Sequence, residues 1–383
     1  MLAESFRAHF PVFRDSVHLC SCSEGALSDR VMVAMSEFMT SWRIHGAPWD
    51  AWMEEVDRAR QEFANVIHAN ADDVAVISCA SEGAFQVVSE QPFSSTRCDI
   101  VTTDLEFPSI AHVWLAAEPR GAKVHFVRHQ EGMVTLDQYL QQIGETTQLV
   151  SVPLVSYANG LRFPVKAIAS YAHRYGARVV VDAYQGVGVL PVDVNELDCD
   201  YLISGVLKYL LGAPGIAFLW VRPGLTPRNN PSLTGWFGRR NPFAFTPQVL
   251  DFADGARRYQ TGTPAIPAAF AATAAMSLIN ELDAATVFRH VERLTTQLQN
   301  ELLNRGYRLF SPLDASQRGP QIAVWAEDSE HLANFLKDRH IFVSPRGHVV
   351  RVSFHFYNDD SDVVNVIDGL EDYRRLYPSR ISG

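Results

Sequence analysis

The chain has 383 residues, of which 47% are hydrophobic and 20% charged, a composition typical of a globular protein with a full hydrophobic core. Its formal net charge of −10 argues against a nucleic-acid-binding surface, because such surfaces need clustered lysine and arginine. The sequence has no apolar run of membrane-spanning length and does not begin with the basic and apolar regions of a signal peptide, so we expect no membrane association and no signal peptide.

Cysteine usage indicates the cellular compartment and bears on metal binding. The chain has five cysteines without regular spacing, and an odd number favours reduced thiols in a cytoplasm. The pair Cys20 and Cys22 is not accompanied by a second pair of metal ligands. We therefore expect a cytoplasmic protein without a bound metal.

The first predicted elements are a loop and two regions beyond it. Residues 20–28 are small and polar and contain glycine, which predicts a loop before a helix that begins near Ser28. Residues 42–52 hold three tryptophans around a Gly-Ala-Pro break, which predicts a loop at a pocket wall or an interface, or alternatively packing in the core. The apolar periodicity of residues 56–67 predicts a helix.

The following segments alternate between strands and helices. Short apolar runs predict strands at residues 75–78, 100–103, 123–127 and 148–155, and a helix at 168–175. The first strand leads into Cys79-Ala80-Ser81, a turn of small residues that opens an amphipathic helix. Backbone N–H groups at a helix start bind phosphate, and Ser81 adds a hydroxyl, although many helices begin in the same way. The alternation predicts a mainly parallel sheet with helices on both faces.

Two short apolar strands carry the strongest chemical signal in the sequence. Residues 179–181 lead to Asp182, at the carboxyl end of a strand, where open α/β sheets place their ligands. Residues 201–203 lead to Lys208 in an otherwise apolar run, and residues 216–221 predict an antiparallel strand. A lysine among leucines either reaches the surface or is buried, and burial lowers its pKa and makes it a nucleophile toward carbonyls. Pyridoxal phosphate (PLP) needs a lysine for its aldimine and a carboxylate against its pyridine nitrogen, so this pair predicts PLP as cofactor.

The last part of the chain contains three further motifs. Trp236 lies between Gly235 and Gly238, and Thr263 precedes a proline that also suits the first turn of a long helix to residue 282. From about residue 287 the pattern is helix, strand, helix and strand, ending in a hairpin at residues 342–358. That hairpin contains Arg351, whose guanidinium group can bind a carboxylate bidentately.

In their order along the chain, these motifs resemble those of the class V aminotransferase family, which also holds cysteine desulfurases, kynureninases and isopenicillin N epimerase-like enzymes. The family pattern of a strand ending in Asp-x-x-Gln/His, then a lysine and a glycine-containing turn, is matched here by Asp182, Gln185 and Lys208. The resemblance covers nearly the whole chain. It implies the α/β architecture of PLP-dependent transferase fold type I, with a large domain at residues 20–275 built on a mainly parallel, seven-stranded sheet. Residues 1–19 and 276–383 are expected to form a smaller α/β domain.

The resemblance also implies roles for individual residues. Lys208 and Asp182 are expected to be catalytic, and Phe107 is expected to stack on the cofactor ring. Thr263 is expected to reach the cofactor phosphate of a partner subunit across a dimer interface. The cofactor-binding set is Ala80, Ser81, Phe107, Asp182, Gln185, Ser204, Lys208, Trp236 and Thr263. The substrate-binding set is Ser23, Tyr157 and Arg351, with Arg351 on the substrate carboxylate and Arg346 at the rim.

Departures from the family pattern bear on the expected reaction. Relatives usually have histidine or tyrosine before the lysine, where this chain has Leu207, and no cysteine follows Cys199 to serve the persulfide chemistry of desulfurases. Tyr157 occupies a position that holds asparagine in desulfurases and tyrosine in kynureninase-like members. We therefore predict a homodimeric PLP enzyme that acts on an amino acid, a small-molecule substrate, through a Cα carbanion. The expected activity is that of an aminotransferase or of a kynureninase-like or β-eliminating lyase, and not that of a typical cysteine desulfurase.

Two alternatives remain open from the sequence. One is an amino-acid epimerase of the isopenicillin N epimerase-like type. The other is a cofactor-free binding module on the same fold, against which the presence of Asp182, Lys208 and Arg351 argues.

Overall fold

A seven-stranded sheet lies at the centre of the computed structural model, which describes residues 2–225 and 230–381. In chain order the described strands are β1 (Val17–His18), β2 (Val74–Ile77), β3 (Asp99–Thr103), β4 (Lys123–Val127), β5 (Thr147–Pro153), β6 (Arg178–Asp182), β7 (Tyr201–Gly205), β8 (Ala217–Val221), β9 (Gln321–Trp325), β10 (Ile341–Phe342), β11 (Ser344–Arg346) and β12 (Val349–Ser353).

The helices connect these strands or cover the sheet. The described α-helices are α1 (Leu2–Phe6), α2 (Asp29–His45), α3 (Trp49–Val66), α4 (Ala80–Ser89), α5 (Pro108–Leu115), α6 (Leu136–Gln142), α7 (Val165–Arg174), α8 (Val194–Leu197), α9 (Ile266–Asn280), α10 (Ala284–Asn304), α11 (Ser329–Lys337) and α12 (Asp360–Leu376). Within the described ranges, none of the helices combines the length and the apolar composition needed to cross a lipid bilayer.

The central sheet has the strand order β2-β8-β7-β6-β5-β3-β4. Neighbouring strands are parallel, except that β8 is antiparallel to both β7 and β2, so the predicted mainly parallel sheet and its antiparallel strand are confirmed. Val179 and Val181 of β6 pack into one hydrophobic cluster, and Val180 packs into a second cluster. Because successive side chains point to opposite faces, both faces of this strand are covered, which explains its continuous apolar run.

The strand directions place several loops at the same edge of the sheet. Strands β2, β3, β5, β6 and β7 run in one direction, since β8 reverses the chain between β7 and β2. The loops that follow them contain the motifs predicted to bind a ligand. This edge is where open α/β sheets bind their ligands.

The C-terminal part of the chain forms a separate, three-stranded antiparallel sheet with the order β11-β12-β9. Arg351 of β12 pairs with Ser344 of β11. The N-terminal strand β1 pairs in parallel with β10, and Cys20 forms a β-bridge with Ser353. Strand β1 is therefore hydrogen-bonded to the C-terminal part of the chain and not to the central sheet.

The prediction of a loop at residues 42–52 is wrong. Helix α2 continues to His45 and α3 begins at Trp49, so only residues 46–48 separate the two helices. Gly46 supplies the positive φ of 71° at which α2 ends. Trp52 is 7% exposed and packs on Phe38, which agrees with the alternative of core packing, whereas Trp42 is 60% exposed.

Candidate active site

The loops at the carboxyl edge of the sheet enclose a cavity of about 290 Å³. Most of the residues predicted for the site line this cavity: Ser23, Ala80, Ser81, Phe107, Tyr157, Asp182, Gln185, Lys208 and Arg351. They come from loops and strands that are far apart in the sequence, so the fold brings them together.

Lys208 lies at the wall of the cavity, in the loop that follows β7. Its Nζ is 4.3 Å from the centroid of the Tyr184 ring and 5.2 Å from that of the Phe107 ring. Burial lowers the pKa of Lys208 to about 8 against the opposing charge of Asp182, and Arg351 adds to the lowering. A lysine with this pKa has a substantial fraction of neutral, nucleophilic amine near neutral pH.

The loop at residues 20–28 is hydrogen-bonded both to the segment that holds Lys208 and to Arg351. The Gly25 N–H donates to the carbonyl oxygen of Leu207 at 2.7 Å. A Cβ atom at Gly25 would lie 2.3 Å from the carbonyl oxygen of Lys208, so the close approach requires glycine. In the same loop, the Ser23 hydroxyl accepts a hydrogen bond from Arg351 Nη2 at 3.0 Å.

Asp182 and Glu106 form a buried pair of acids at the base of the cavity. Asp182 is 8% exposed, and its Oδ1 accepts from the Tyr184 N–H at 3.0 Å. Burial raises the pKa of Asp182, while the Tyr184 N–H and the charge of Lys208 act in the opposite direction. Glu106 is 3% exposed, and burial together with the charge of Asp182 raises the pKa of Glu106 well above its usual value.

Arg351 is a buried cation on β12 at the opposite side of the cavity from the strand ends. It is 1% exposed, and its Nη1 donates to the carbonyl oxygen of Tyr157 at 2.8 Å. Among the described residues, no carboxylate forms an ion pair with Arg351. Arg7, in contrast, pairs with the buried Asp362. A buried guanidinium group without a protein carboxylate is suited to bind an anionic group of a ligand. The Tyr157 ring meets Phe107 edge to face, with centroids 5.1 Å apart.

The start of α4 provides backbone donors at another part of the cavity wall. Ala80 and Ser81 form its first turn, and the side chain of the preceding Cys79 does not cap the helix. The first N–H groups of a helix lack partners within the helix and can bind an anion. Glu82 holds this turn in place, because its carboxylate accepts from the Ser78 N–H at 2.7 Å and from the Thr261 hydroxyl at 3.0 Å.

Three predicted residues do not line the cavity of this chain: Ser204, Trp236 and Thr263. The Ser204 hydroxyl is buried and donates to the carbonyl oxygen of Gly205 at 3.1 Å. The Trp236 indole N–H, which we expected to contact the cofactor, donates instead to the carbonyl oxygen of Pro242 at 2.6 Å. Thr263 is exposed to solvent.

Several cavity residues were absent from the sequence prediction, among them Cys22, Glu106 and Tyr184. A signal for two of them existed in the sequence, since Glu106 immediately precedes Phe107 and Tyr184 follows Asp182 by two positions. Glu106 follows the carboxyl end of β3 and Tyr184 that of β6, and each lies close in sequence to a predicted site residue. Leu207, which replaces the family's histidine or tyrosine, also lines the cavity, and its side chain offers no polar group.

The residues that line this cavity fit PLP. Lys208 provides an amine for the aldehyde group, Asp182 an acid for the pyridine nitrogen, and the start of α4 a site for the phosphate. Gln185 lines the cavity, and its Oε1 has no hydrogen-bond partner within the described residues. Arg351 remains available for the carboxylate of a substrate.

The chain is similar to known proteins over most of its length. The chain is 35% identical to an uncharacterized aminotransferase of Bacillus subtilis, YcbU, over 96% of this chain and 97% of that protein. It is 29% identical to the kynureninase of Deinococcus radiodurans over 83% of this chain and 79% of that protein.

Two solved structures share the fold. An apo cysteine desulfurase of Thermococcus onnurineus has a TM-score of 0.88 at 22% identity and matches 97% of this chain and 98% of its own. A mutant of C-DES with glycine covalently linked to its PLP cofactor has a TM-score of 0.88 at 19% identity, over 96% of this chain and 99% of its own. The model of the family "Aminotransferase class-V" matches residues 26–366. Because this match spans most of the chain, the protein belongs to the class V aminotransferase family.

Proposed function

We propose that this protein is an aminotransferase that uses PLP to act on an α-amino acid. PLP is the cofactor of the family to which the chain belongs, and when bound it supplies an electron sink for the substrate's α-carbon. The observation that carries the proposal is the convergence of Lys208, Asp182 and Arg351 on one cavity. These residues supply an amine, an acid and a carboxylate receptor.

In this proposal Lys208 moves protons at its Nζ. Its pKa of about 8 lies close to physiological pH, which is the condition for efficient general acid–base catalysis. The Tyr184 and Phe107 rings beside Nζ limit the access of water to the amine. Arg351, which is fixed by Tyr157 and Ser23, holds the substrate carboxylate and so orients the α-carbon toward Lys208.

We further propose that the protein is not a typical cysteine desulfurase. No cysteine follows Cys199 in the sequence, so the C-terminal third provides no thiol to accept sulfur. A kynureninase-like or β-eliminating lyase is the second candidate, because Tyr157 lies edge to face with Phe107 at the cavity and a kynureninase is among the relatives. An amino-acid epimerase is the third candidate.

The test is a panel of amino acids added to the purified PLP-loaded protein with a 2-oxo acid, with products identified by mass. A transaminase yields a new 2-oxo acid and a new amino acid, a lyase yields a shortened or dehydrated product, and an epimerase yields a stereoisomer of the substrate. Transfer of sulfur from cysteine to the protein would contradict the exclusion of desulfurase chemistry. A protein that binds no PLP and shows no visible absorption band would refute the proposed function.

We also propose a homodimer with composite sites. Exposed apolar side chains are numerous on α2 and on the segment of residues 233–250: Met32, Val33, Met39, Trp42, Ile44, Leu233, Phe243, Phe245, Val249 and Leu250. Such a concentration of exposed apolar surface is typical of a protein interface. Thr263 is also exposed, as expected for a residue that completes the partner's site. A monomer that retains PLP tightly at low concentration would contradict this proposal.

The domain division at residues 20–275, with residues 1–19 and 276–383 in the smaller domain, is also proposed. The parallel pairing of β1 with β10 supports it. Limited proteolysis that releases one of these units intact would test it.

A further inference from the structure

Glu106 connects the two groups that are predicted to contact the cofactor ring. It lies between β3 and α5, immediately before Phe107. Its Oε1 accepts from the Phe107 N–H at 2.8 Å, and its Oε2 lies 3.0 Å from the hydroxyl of Ser151 on β5. Glu106 and Asp182 line the same cavity, and each carboxyl group acts on the pKa of the other.

The two acids cannot both carry a charge at low cost. Both are buried, and like charges that share a buried site disfavour double ionisation. The cation that faces the pair is Lys208, which acts on Asp182. On the other side of Glu106 lies the neutral phenol of Tyr139, whose hydroxyl donates to the carbonyl oxygen of Ser151, with Asp104 beyond it. Tyr184 faces Asp182 and adds no cation.

These contacts decide which acid holds the proton. Asp182 has two groups that favour its charged form, the Lys208 ammonium and the Tyr184 N–H. The Phe107 N–H and the Ser151 hydroxyl favour the charged form of Glu106, but no cation is among the described groups that shift its pKa. Burial and the charge of Asp182 outweigh these two donors and raise the pKa of Glu106 well above its usual value. The protonated Glu106 can therefore donate to the charged Asp182, because a hydrogen bond to the charged form of an acid stabilises that form.

We propose that Glu106 is a positioning residue that retains a proton, donates it in a hydrogen bond to the Asp182 carboxylate, and fixes the backbone of Phe107 with its other oxygen. It thereby keeps Asp182 ionised and Phe107 in place. The consequence for PLP rests on the proposed function, whereas the protonation of Glu106 is a property of the protein alone.

The first experiment is infrared difference spectroscopy of the PLP-free protein at pH 7. The wild type should show the carbonyl stretch of a protonated, buried carboxyl group, and Glu106→Gln should lose it. Glu55→Gln is a matched control, because Glu55 is a buried glutamate that is ion-paired with Arg58 at 2.9 Å, and it should leave the band unchanged. If the band persists in Glu106→Gln, the assignment of the proton to Glu106 is overturned.

The second experiment measures PLP binding and the pH dependence of the bound-cofactor absorption. Glu106→Gln retains a donor for Asp182 and an acceptor for Phe107, so its dissociation constant should stay within about threefold of the wild-type value. Glu106→Leu retains neither, and the dissociation constant should rise by about tenfold or more with a shifted spectral midpoint. Equal affinity and an equal midpoint in both variants would refute the positioning role. Absence of PLP binding in the wild type would refute the proposed function and leave the infrared result standing.

Discussion

Replacement of Lys208 by methionine should stabilise the PLP-free protein at neutral pH, although it abolishes the proposed activity. The folded protein lowers the pKa of Lys208 from 10.5 to about 8, mainly by burial. At pH 7 the wild-type chain must therefore keep a charged amine in an environment that disfavours the charge. Methionine has a similar length and carries no charge, so the variant avoids this cost.

The size of the effect follows from the pKa difference. A shift of one pKa unit corresponds to about 1.4 kcal/mol, so the change from 10.5 to about 8 corresponds to an upper limit of about 3.5 kcal/mol. Between these two pKa values the unfolded chain binds a proton that the folded chain does not, and wild-type stability therefore rises with pH. The advantage of Lys208→Met should be largest below pH 8 and should decline as the pH approaches 10.5.

The assay is urea-induced unfolding of both PLP-free proteins at fixed protein concentration and at several pH values between 7 and about 10.5. Lys166→Met serves as the control, because Lys166 is an exposed lysine on α7 and its replacement should change the unfolding free energy by less than about 0.5 kcal/mol. A difference between wild type and Lys208→Met that does not decrease with rising pH would show that Lys208 keeps an ordinary pKa in the fold.

Four further predictions test the proposed site. Lys208→Ala should still bind PLP, but borohydride should fail to fix PLP to the chain. Turnover should fall by several orders of magnitude. Fixation of PLP to a different lysine in the wild type would place the active site elsewhere. Arg351→Lys should raise KM by about tenfold or more with an unchanged cofactor spectrum, because the bidentate geometry is lost, whereas Arg346→Lys should have a smaller effect. Thr263→Ala should weaken PLP retention in the proposed dimer, and an unchanged rate of PLP loss would argue against a composite site. Gly25→Ala should lower PLP affinity, because its Cβ would clash with Lys208 O at 2.3 Å, and wild-type affinity would contradict the close contact.

Much of the central architecture could be predicted because it follows from local patterns. Apolar runs such as the one before Asp182 are long enough to identify a buried parallel strand, and the direction of such strands places Asp182 and Lys208 at one edge. The tryptophan-rich segment was misread as a loop, because composition does not show that Gly46 interrupts the helical periodicity for only a short turn.

The remaining errors depend on tertiary contacts. The motif around Trp236 gave no indication that Pro242, a few residues later, accepts a hydrogen bond from the indole N–H. The pairing of Glu106 with Asp182 depends on the strand order β6-β5-β3, in which Ser151 of β5 lies between the two acids' strands. Sequence patterns within one strand do not specify that order.

The loop at residues 20–28 links the segment of the reactive lysine to the proposed receptor of the substrate carboxylate. Gly25 is hydrogen-bonded to Leu207, which precedes Lys208, and Ser23 is hydrogen-bonded to Arg351, which we propose receives the substrate carboxylate. In the same loop, the backbone N–H of Cys22 donates to the hydroxyl of Ser353 on β12 at 3.0 Å. Altered substrate preference obtained by changing this loop should therefore be accompanied by altered lysine reactivity. Variation of selectivity alone would have to come from positions such as Arg346, which lines the cavity without a side-chain bond to this loop among the described contacts.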